Sequence, residues 1–315
     1  MSVARIRKKN NATVIDRRYK EEMFRGTFTA LVTPFRNGDV DLAAFEKLIE
    51  AQIAAGINGV VAVGTTGESP TLTHEEKEKV IQRTVKVVNG RCKVLAGTGT
   101  NSTRDAIDAT KFAAEKAGVD GALLVAPYYN KPSQEGLFRH FKAIADATSL
   151  SIMLYNIPGR CSVDIGPDTV VRLAESCRNI VAIKEASGSV ERVGELRRRL
   201  PKEFTILSGD DSLTLPFMAV GAVGVVSVAS NLFPAEVCAL VRACESGDFK
   251  AAESLHRKMF PLFKDLFIES NPVPVKTALD WRGAMSAEVR LPLCEMMDAN
   301  QTRLRKTLQE FESNR

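Results

Sequence analysis

The chain has 315 residues, of which 44% are hydrophobic and 26% charged, a composition typical of a globular protein that can bury a sizeable core. No apolar run approaches the roughly 18 residues that a membrane helix needs. The formal net charge of +5 comes from residues 1–25, which carry eight bases and three acids, while the remainder carries 35 of each. A neutral body offers no basic surface to phosphates, so we expect no nucleic-acid and no membrane partner.

Six cysteines are scattered along the sequence without a CxxC pair, and the three histidines lie far apart. This spacing does not match a metal site, so we expect no metal ion and no cofactor. Free thiols in a chain without an apolar signal segment predict a protein of the reducing cytoplasm.

Residues 1–22 form a basic segment without an apolar run, ahead of Met23. We interpret this segment as a disordered tail or an over-extended gene start, and its removal should leave activity and melting temperature unchanged. A transit peptide is the alternative, although the acidic residues Asp16, Glu21 and Glu22 speak against it.

Eight short apolar runs alternate with amphipathic segments along the chain. The predicted strands lie at 27–32, 59–63, 93–97, 121–125, 151–155, 180–184, 204–208 and 223–228. The predicted helices lie at 41–55, 73–89, 103–117, 133–147, 167–176, 189–199, 211–219 and 233–246. This alternation is typical of βαβ units and a parallel sheet. Eight units that close on themselves give an α/β fold, the (β/α)8 or TIM barrel, and an open doubly wound sheet is the alternative.

Further helical segments follow the eighth unit, at about 248–270, 274–283 and 300–312. Asn271, Pro272 and Pro274 are predicted to separate the first of them from the second. We therefore expect a C-terminal helical extension of the barrel. The predicted division of the chain is a tail at 1–22, a barrel core at 23–232, and the eighth helix with a helical subdomain at 233–315.

Polar side chains follow the predicted strands at their C-terminal ends, where a TIM barrel builds its active site. Hydroxyl groups, phenols and two cations should converge over one mouth of the barrel. They belong to Thr65, Thr66, Tyr128, Tyr129, Tyr155, Arg160 and Lys184.

Lys184 is the most informative of these residues. Strand side chains alternate with period 2, so Ile180, Ala182 and Lys184 are predicted to share one face, which we take to be the barrel interior. A free lysine has a pKa of about 10.4, and burial lowers it, which increases the neutral amine that attacks a ketone to form an imine. The alternative is a lysine whose ammonium reaches solvent from the strand end.

Two glycine-rich segments, GTTGES and GTGTNS, follow predicted strands. Neither has Walker or GxGxxG spacing, so they are weak candidates for nucleotide binding. As turns that offer backbone N–H groups to a substrate carboxylate they are reasonable.

Several stretches across 26–295 together resemble the dihydrodipicolinate synthase/N-acetylneuraminate lyase superfamily of pyruvate-dependent barrels. These stretches are GTFTALVTPF, VGTTGESPTLTHEEK, AGTGTNST, PYYNKPSQEGLFRHFKAIA, LYNIPGR, IKEASGS, LSGDDS, GVVSVASN and NPVPVK. The resemblance implies a class I aldolase that condenses pyruvate with L-aspartate 4-semialdehyde. The product would be 4-hydroxy-tetrahydrodipicolinate, in the lysine and diaminopimelate pathway.

The resemblance also implies roles for individual residues. Lys184 would form the Schiff base with pyruvate, and Tyr155 would donate and accept protons beside it. Thr65 and Tyr129 would complete a proton relay, with Tyr129 supplied across a dimer interface. The assembly would be a homotetramer made of two tight dimers. The implied substrate-binding residues are Thr66, Val226 through its backbone, Gly209, and Arg160 for the carboxylate of the semialdehyde.

Members of this superfamily that lysine inhibits bind it at the tight-dimer interface. The matching positions here are Ser69, Pro70, His74, Lys77, Asn101, Asp105 and Tyr128. Lys77 would bring a positive charge towards a cationic ligand, so we expect weak or absent inhibition by L-lysine.

The sequence departs from the superfamily pattern after Arg160, where Cys161-Ser162 stands in place of the usual Thr-Gly. A sister aldolase is one alternative function, such as an N-acetylneuraminate lyase or a keto-acid aldolase. A non-catalytic barrel is another, and the presence of both Lys184 and Tyr155 argues against it.

Overall fold

The structure, a computed structural model, describes residues 24–313. The predicted tail at 1–22 and the first residue of the predicted barrel core lie outside the described residues. The expectation that the tail is dispensable therefore stays a prediction.

Eight parallel strands close into a barrel in which each strand pairs with the next in the chain and the last pairs with the first. The predicted TIM barrel is confirmed, and the open doubly wound sheet is excluded. The strands are β1 Gly26–Ala30, β2 Gly59–Ala62, β3 Lys93–Gly97, β4 Gly121–Val125, β5 Ser151–Asn156, β6 Ile180–Glu185, β7 Thr205–Ser208 and β8 Gly224–Ser227.

Helices surround the barrel, and three more follow it. A hairpin of Phe35–Arg36 and Asp39–Val40 comes after β1, and a one-turn helix, Pro158–Cys161, comes after β5. The barrel helices are α1 Leu42–Ala54, α2 His74–Val88, α3 Thr103–Phe112, α4 Gln134–Asp146, α5 Pro167–Ser176, α6 Val190–Arg199, α7 Thr214–Ala219 and α8 Pro234–Glu245. The extension consists of α9 Phe249–Asp265, α10 Val273–Trp281 and α11 Asp298–Ser313.

The helix bounds differ from the predicted ones by more than two residues in three places. Residues 211–213 form a 3-10 turn before α7, and residues 113–117 continue α3 as a π-helical turn. Helix α9 ends at Asp265 instead of reaching residue 270. The predicted separation of α9 from α10 is confirmed: Asn271 and Pro272 lie between them, and Pro274 lies in the first turn of α10, where a missing N–H has no cost.

Helix starts follow the capping residues of the sequence. Thr73 and Glu76 form a capping box at α2, in which each side chain accepts from the other residue's backbone N–H. Ser133 and Ser189 cap α4 and α6 in the same way through their hydroxyl oxygens. These contacts fix the direction in which each helix leaves the loop above a strand.

The barrel interior is filled by a cluster that includes Phe28, Leu95, Leu123 and Leu207, and this cluster supports the site above it. Ala182 belongs to the cluster, as predicted. Ile180 does not, and its predicted place on the interior face was wrong: it packs in the outer cluster, while Val181 takes the interior position. The cause is a register shift between β5 and β6 at Ile152/Met153.

The C-terminal helices share a hydrophobic cluster with the end of the barrel. It joins Val225 of β8 and Val237 of α8 to Leu262 of α9 and Leu304 of α11. The boundary that we predicted at 232/233 therefore stays a proposal about chain organisation. Among residues 24–313, no helix combines the length and apolar character that crossing a bilayer requires.

Candidate active site

Lys184 lies near the C-terminal end of β6, next to Tyr155 of β5 in the register of the sheet. Its side chain is buried, and Nζ lies 4.2 Å from the centroid of the Tyr155 ring. Burial lowers the pKa of Lys184 to about 7, with Asp211 raising it and Arg160 lowering it further. The amine is therefore available in its neutral, nucleophilic form near neutral pH.

Gly209 follows β7 and faces Lys184. A Cβ at this position would lie 2.7 Å from Ala186 Cβ and 3.0 Å from Lys184 Cε. Glycine therefore leaves the space through which the lysine side chain passes. The structure gives Gly209 a packing role, and its predicted contact with substrate stays a prediction.

Tyr155 is buried beside the lysine. Burial raises the pKa of its phenol to about 12, while the positive charge of Arg160 and the hydroxyl of Thr65 lower it. The phenol is thus neutral at pH 7, and Thr65 is the neighbour through which a proton can pass to or from it.

A cavity of about 240 Å³ opens at this end of the barrel. Apolar strand residues and polar loop residues form its walls. They include Val63, Thr65, Ser69, Pro70, Lys77, Gly99, Leu123, Tyr128, Tyr155, Ile157, Arg160 and Cys161. The volume accommodates a ligand of the size of pyruvate, and Arg160 in the cavity wall is a cation of the kind that can pair with a carboxylate.

Thr66 and Arg160 meet at one residue of the C-terminal extension. Asn271 Nδ2 donates to Thr66 Oγ1 at 2.9 Å, and the Asn271 carbonyl accepts from Arg160 Nη2 at 3.3 Å. Val226 is buried on β8, two strands from the strand of Lys184, and belongs to the interior cluster. The structure thus brings Thr66 and Arg160 together at Asn271, while the predicted contacts of these residues with substrate stay predictions.

The loop after β2 is tightly constrained. Val63 has φ 58°, a conformation that is rare for a β-branched residue, and Glu68 has φ 54°. The Glu68 carboxylate pairs with Lys276 at 2.6 Å, and both side chains are fully buried. Lys276 also donates to the Thr33 carbonyl at 2.9 Å. An ion pair from α10 thus holds the loop that carries Thr65 and Thr66.

A second network, partly buried, lies behind Lys184 and Tyr155, on the outer face of their strands. Asn156 Nδ2 donates to Glu185 Oε1 at 3.1 Å and to Asp164 Oδ1 at 2.7 Å. Arg192 of α6 pairs with Glu185 at 2.7 Å and with Asp164 at 3.0 Å. These contacts hold the two strand ends, and with them the lysine and the phenol, at a fixed spacing.

A match to a protein-family model identifies the family of this chain. Residues 23–311 match the dihydrodipicolinate synthetase family. The chain belongs to this family. The match covers the barrel and the C-terminal extension together.

Members of the dihydrodipicolinate synthetase family are similar to this chain in sequence and in structure over nearly the same span. A 4-hydroxy-tetrahydrodipicolinate synthase of Aquifex aeolicus is 51% identical over 92% of this chain and 98% of its own. The structure of the synthase from Methylacidiphilum fumariolicum SolV is 59% identical, with a TM-score of 0.91 over 92% of this chain and 96% of that one. A dihydrodipicolinate synthase from Cyanidioschyzon merolae, solved with lysine bound, is 41% identical, with a TM-score of 0.90 over 92% and 99%.

Tyr129 stands apart from the other predicted site residues. Its side chain is 89% exposed, and its backbone has φ 75°. Within one chain it does not line the cavity that holds Tyr155 and Thr65. Residues with a strained backbone conformation cluster at functional sites, so the conformation of Tyr129 is consistent with a functional loop.

The predicted effector positions divide between two neighbouring cavities. Ser69, Pro70, Lys77 and Tyr128 line the cavity already described. Lys77 also lines a second cavity between α2 and α3, together with His74 and Asp105, while Asn101 lines neither. Burial lowers the pKa of Lys77, and Asp105 opposes this effect. Lys77 thus stands between the active-site mouth and the second cavity.

The departure at Cys161-Ser162 has a clear local consequence. Cys161 is buried in the cavity wall, and Ser162 ends the one-turn helix with φ 56°. This backbone conformation favours glycine, the residue usual in the family. The serine adopts the same turn at a steric cost, and the position of Arg160 before it is preserved.

The sequence analysis predicted no role in the site for Asn271, Lys276 or Glu68; it treated Asn271 only as part of a break between two helices. One signal was present: Lys276 interrupts an apolar run, VPVKTAL, much as Lys184 interrupts IVAIKE. A charged residue in such a run is either paired or functional. Lys276 is paired, and its partner lies 208 positions away in the sequence.

Proposed function

We propose that the chain catalyses the condensation of pyruvate with L-aspartate 4-semialdehyde to 4-hydroxy-tetrahydrodipicolinate, a lyase step of lysine and diaminopimelate biosynthesis. The observation that supports this most is the buried Lys184 amine, with a pKa of about 7, beside Tyr155, which lines one cavity together with Arg160. The names of the relatives support the same activity over the same span.

The neutral Nζ of Lys184 attacks the ketone carbon of pyruvate, and loss of water gives the imine. A proton then leaves the methyl carbon, and the enamine attacks the aldehyde carbon of the second substrate. The amino group of that substrate displaces Lys184 from the imine carbon, which closes the ring and returns the free lysine. Tyr155 and Thr65 move the protons in these steps, because the Tyr155 ring lies beside the lysine and the Thr65 hydroxyl adjoins the Tyr155 phenol.

The exposed Tyr129 fits a role in a partner subunit's site. A phenol that is 89% exposed in one chain is positioned to enter a neighbouring mouth and extend the relay of Tyr155 and Thr65. We propose a homotetramer built from two tight dimers, located in the cytoplasm, where both substrates and free thiols are found.

The decisive test is a coupled assay in which the protein receives pyruvate and L-aspartate 4-semialdehyde, and a reductase consumes NADPH as product forms. NADPH oxidation that requires both substrates is expected. Failure of this assay, together with cleavage of N-acetylneuraminate or of a 4-hydroxy-2-oxo acid, would identify a sister aldolase instead.

Arg160→Ala is expected to weaken use of the semialdehyde about 10- to 100-fold, the range for loss of a charge-assisted pair. Removal of the Arg160 charge should raise the pKa of Lys184, so imine formation is measured at about pH 8.5, where most of the lysine is neutral in both proteins. At this pH imine formation with pyruvate should change little. Use of the semialdehyde is measured by steady-state kinetics, as the KM for each substrate. Imine formation is measured by the pyruvate concentration that gives half-maximal borohydride trapping.

The matched control is Arg139→Ala, which removes an exposed arginine paired with Glu135 on α4. It should leave both measurements unchanged. Equal loss of both functions in Arg160→Ala would mean that this residue supports the fold of the mouth and does not select the second substrate.

L-Lysine is expected to inhibit weakly or not at all. Lys77 lies between the two cavities that contain most of the effector positions, and two unit charges about 4 Å apart repel by roughly 4 kcal/mol at an effective dielectric of 20. The measurement is a titration of L-lysine into the coupled assay, with Lys77→Met as the comparison. The variant should be inhibited at lower lysine concentrations, whereas sub-millimolar inhibition of the unmodified protein would show that Lys77 does not block the site.

A further inference from the structure

Asn271 lies where the C-terminal extension meets the mouth of the barrel. Its side-chain amide donates to Thr66 Oγ1 at 2.9 Å, and its backbone carbonyl accepts from Arg160. Thr66 is 3% exposed and Asn271 is 5% exposed. The side-chain contact is therefore a hydrogen bond shielded from water, and its direction matters.

A threonine hydroxyl has a single proton to donate and two lone pairs to accept with. Because the oxygen of Thr66 accepts from Asn271, the proton of Thr66 remains for another acceptor. We infer that Asn271 is a positioning residue that directs the Thr66 hydroxyl proton towards the pyruvate carboxylate. This inference rests on the proposed function, in which Thr66 binds that carboxylate.

The two residues are held in place by the ion pair described above. Glu68 follows Thr66 by two residues, and Lys276 follows Asn271 by five, so the same two segments are joined at a second point. The Thr33 hydroxyl also donates to the carbonyl of Gly67 at 2.7 Å, between Thr66 and Glu68. Neither segment can move away from the other without breaking a buried ion pair.

The orientation of the Asn271 amide determines which group can accept the hydrogen bond that the Thr66 hydroxyl donates. Its Oδ1 atom is buried and has no hydrogen-bond partner among the described residues. With Oδ1 turned to Thr66 instead, the amide oxygen would accept a hydrogen bond from the Thr66 hydroxyl. The carboxylate of pyruvate would then lose this donor. An aspartate at this position imposes that second arrangement, since an ionised carboxylate only accepts.

The test compares Asn271→Asp with Asn271→Ala by borohydride trapping at increasing pyruvate concentrations. Asn271→Asp should raise the pyruvate concentration for half-maximal trapping about 10- to 100-fold, the range for losing a hydrogen bond to a charged group. Asn271→Ala should have a smaller effect, because the Thr66 hydroxyl can then rotate freely. The pyruvate concentration for half-maximal trapping in Asn271→Asp, divided by that in the unmodified protein, should also fall at low pH. There a protonated aspartate can again donate a hydrogen bond to Thr66.

Thr66→Val provides the coupling control. In the Thr66→Val background, Asn271→Asp should raise the pyruvate concentration for half-maximal trapping little further, because the hydroxyl that it redirects is absent. The inference is overturned if Asn271→Asp traps pyruvate like the unmodified protein, or if Asn271→Ala is as harmful as Asn271→Asp and neither depends on Thr66. Absence of trapping in the unmodified protein would instead refute the proposed function, so the two failures are distinguishable.

Discussion

Replacement of Lys184 by methionine should abolish the borohydride-trapped pyruvate adduct and lower the turnover number by about 10³-fold or more. The reason is that Lys184 supplies the nucleophile. Lys77 also lines the cavity, but Lys184 is the lysine whose Nζ the structure places over the Tyr155 ring, at 4.2 Å from its centroid. Mass spectrometry of the unmodified protein after reduction should find one pyruvate-derived mass per subunit, on the peptide that contains Lys184.

Melting temperature separates loss of chemistry from loss of fold. Burial lowers the pKa of Lys184 from 10.5 to about 7, so below about pH 10.5 the unfolded chain binds this proton more tightly than the folded protein. The lysine therefore costs stability at neutral pH, and the cost fades as the pH rises from 7 to 10.5. Lys184→Met should melt no lower than the unmodified protein at pH 7.

The matched control is Lys142→Met, an exposed lysine that pairs with Asp146 on α4. It should retain the adduct and the activity. An adduct on another lysine, or full turnover in Lys184→Met, would exclude Lys184 as the residue that forms the imine. In the unmodified protein the initial rate of imine formation should fall roughly tenfold per pH unit below about 7, as the amine becomes protonated.

Tyr155→Phe should lower the turnover number by about 10²- to 10⁴-fold, the range for loss of a general acid–base group. Phenylalanine keeps the ring that lies 4.2 Å from Lys184 Nζ, so the variant removes the hydroxyl without removing the packing. The measurement is steady-state turnover in the coupled assay, together with the rate of adduct trapping.

Thr65→Val tests whether the hydroxyls act as a relay. It should slow turnover less than Tyr155→Phe, and the double variant should be little slower than Tyr155→Phe alone, because both changes interrupt one path. Additive losses would show that Thr65 has a separate task. Turnover close to normal in Tyr155→Phe would remove the phenol from the mechanism.

The barrel could be predicted from the sequence because its signals are local. Eight short apolar runs separated by amphipathic segments, and helix starts such as Thr73 with Glu76, are visible within a few residues of each other. Lys184, Tyr155 and Arg160 could be placed at one mouth because the C-terminal ends of parallel strands meet there. The resemblance to the family then supplied roles that spacing alone does not give.

The remaining features depend on contacts between distant parts of the chain. The bond between Asn271 and Thr66 spans 205 positions, and the pair of Lys276 with Glu68 spans 208. No periodicity links such partners. The misplacement of Ile180 has a similar cause, because a register shift between two strands cannot be read from either strand alone.

The long-range ion pair has a consequence for the order in which a newly made chain becomes competent. Every strand of the barrel has been synthesised once residue 227 has been added, yet the loop of Thr65 and Thr66 still lacks its partner on α10. A barrel that closes at that stage leaves Glu68 without its cation. Enzyme emerging from the ribosome should therefore gain activity only after residue 276 has left the exit tunnel, late in translation.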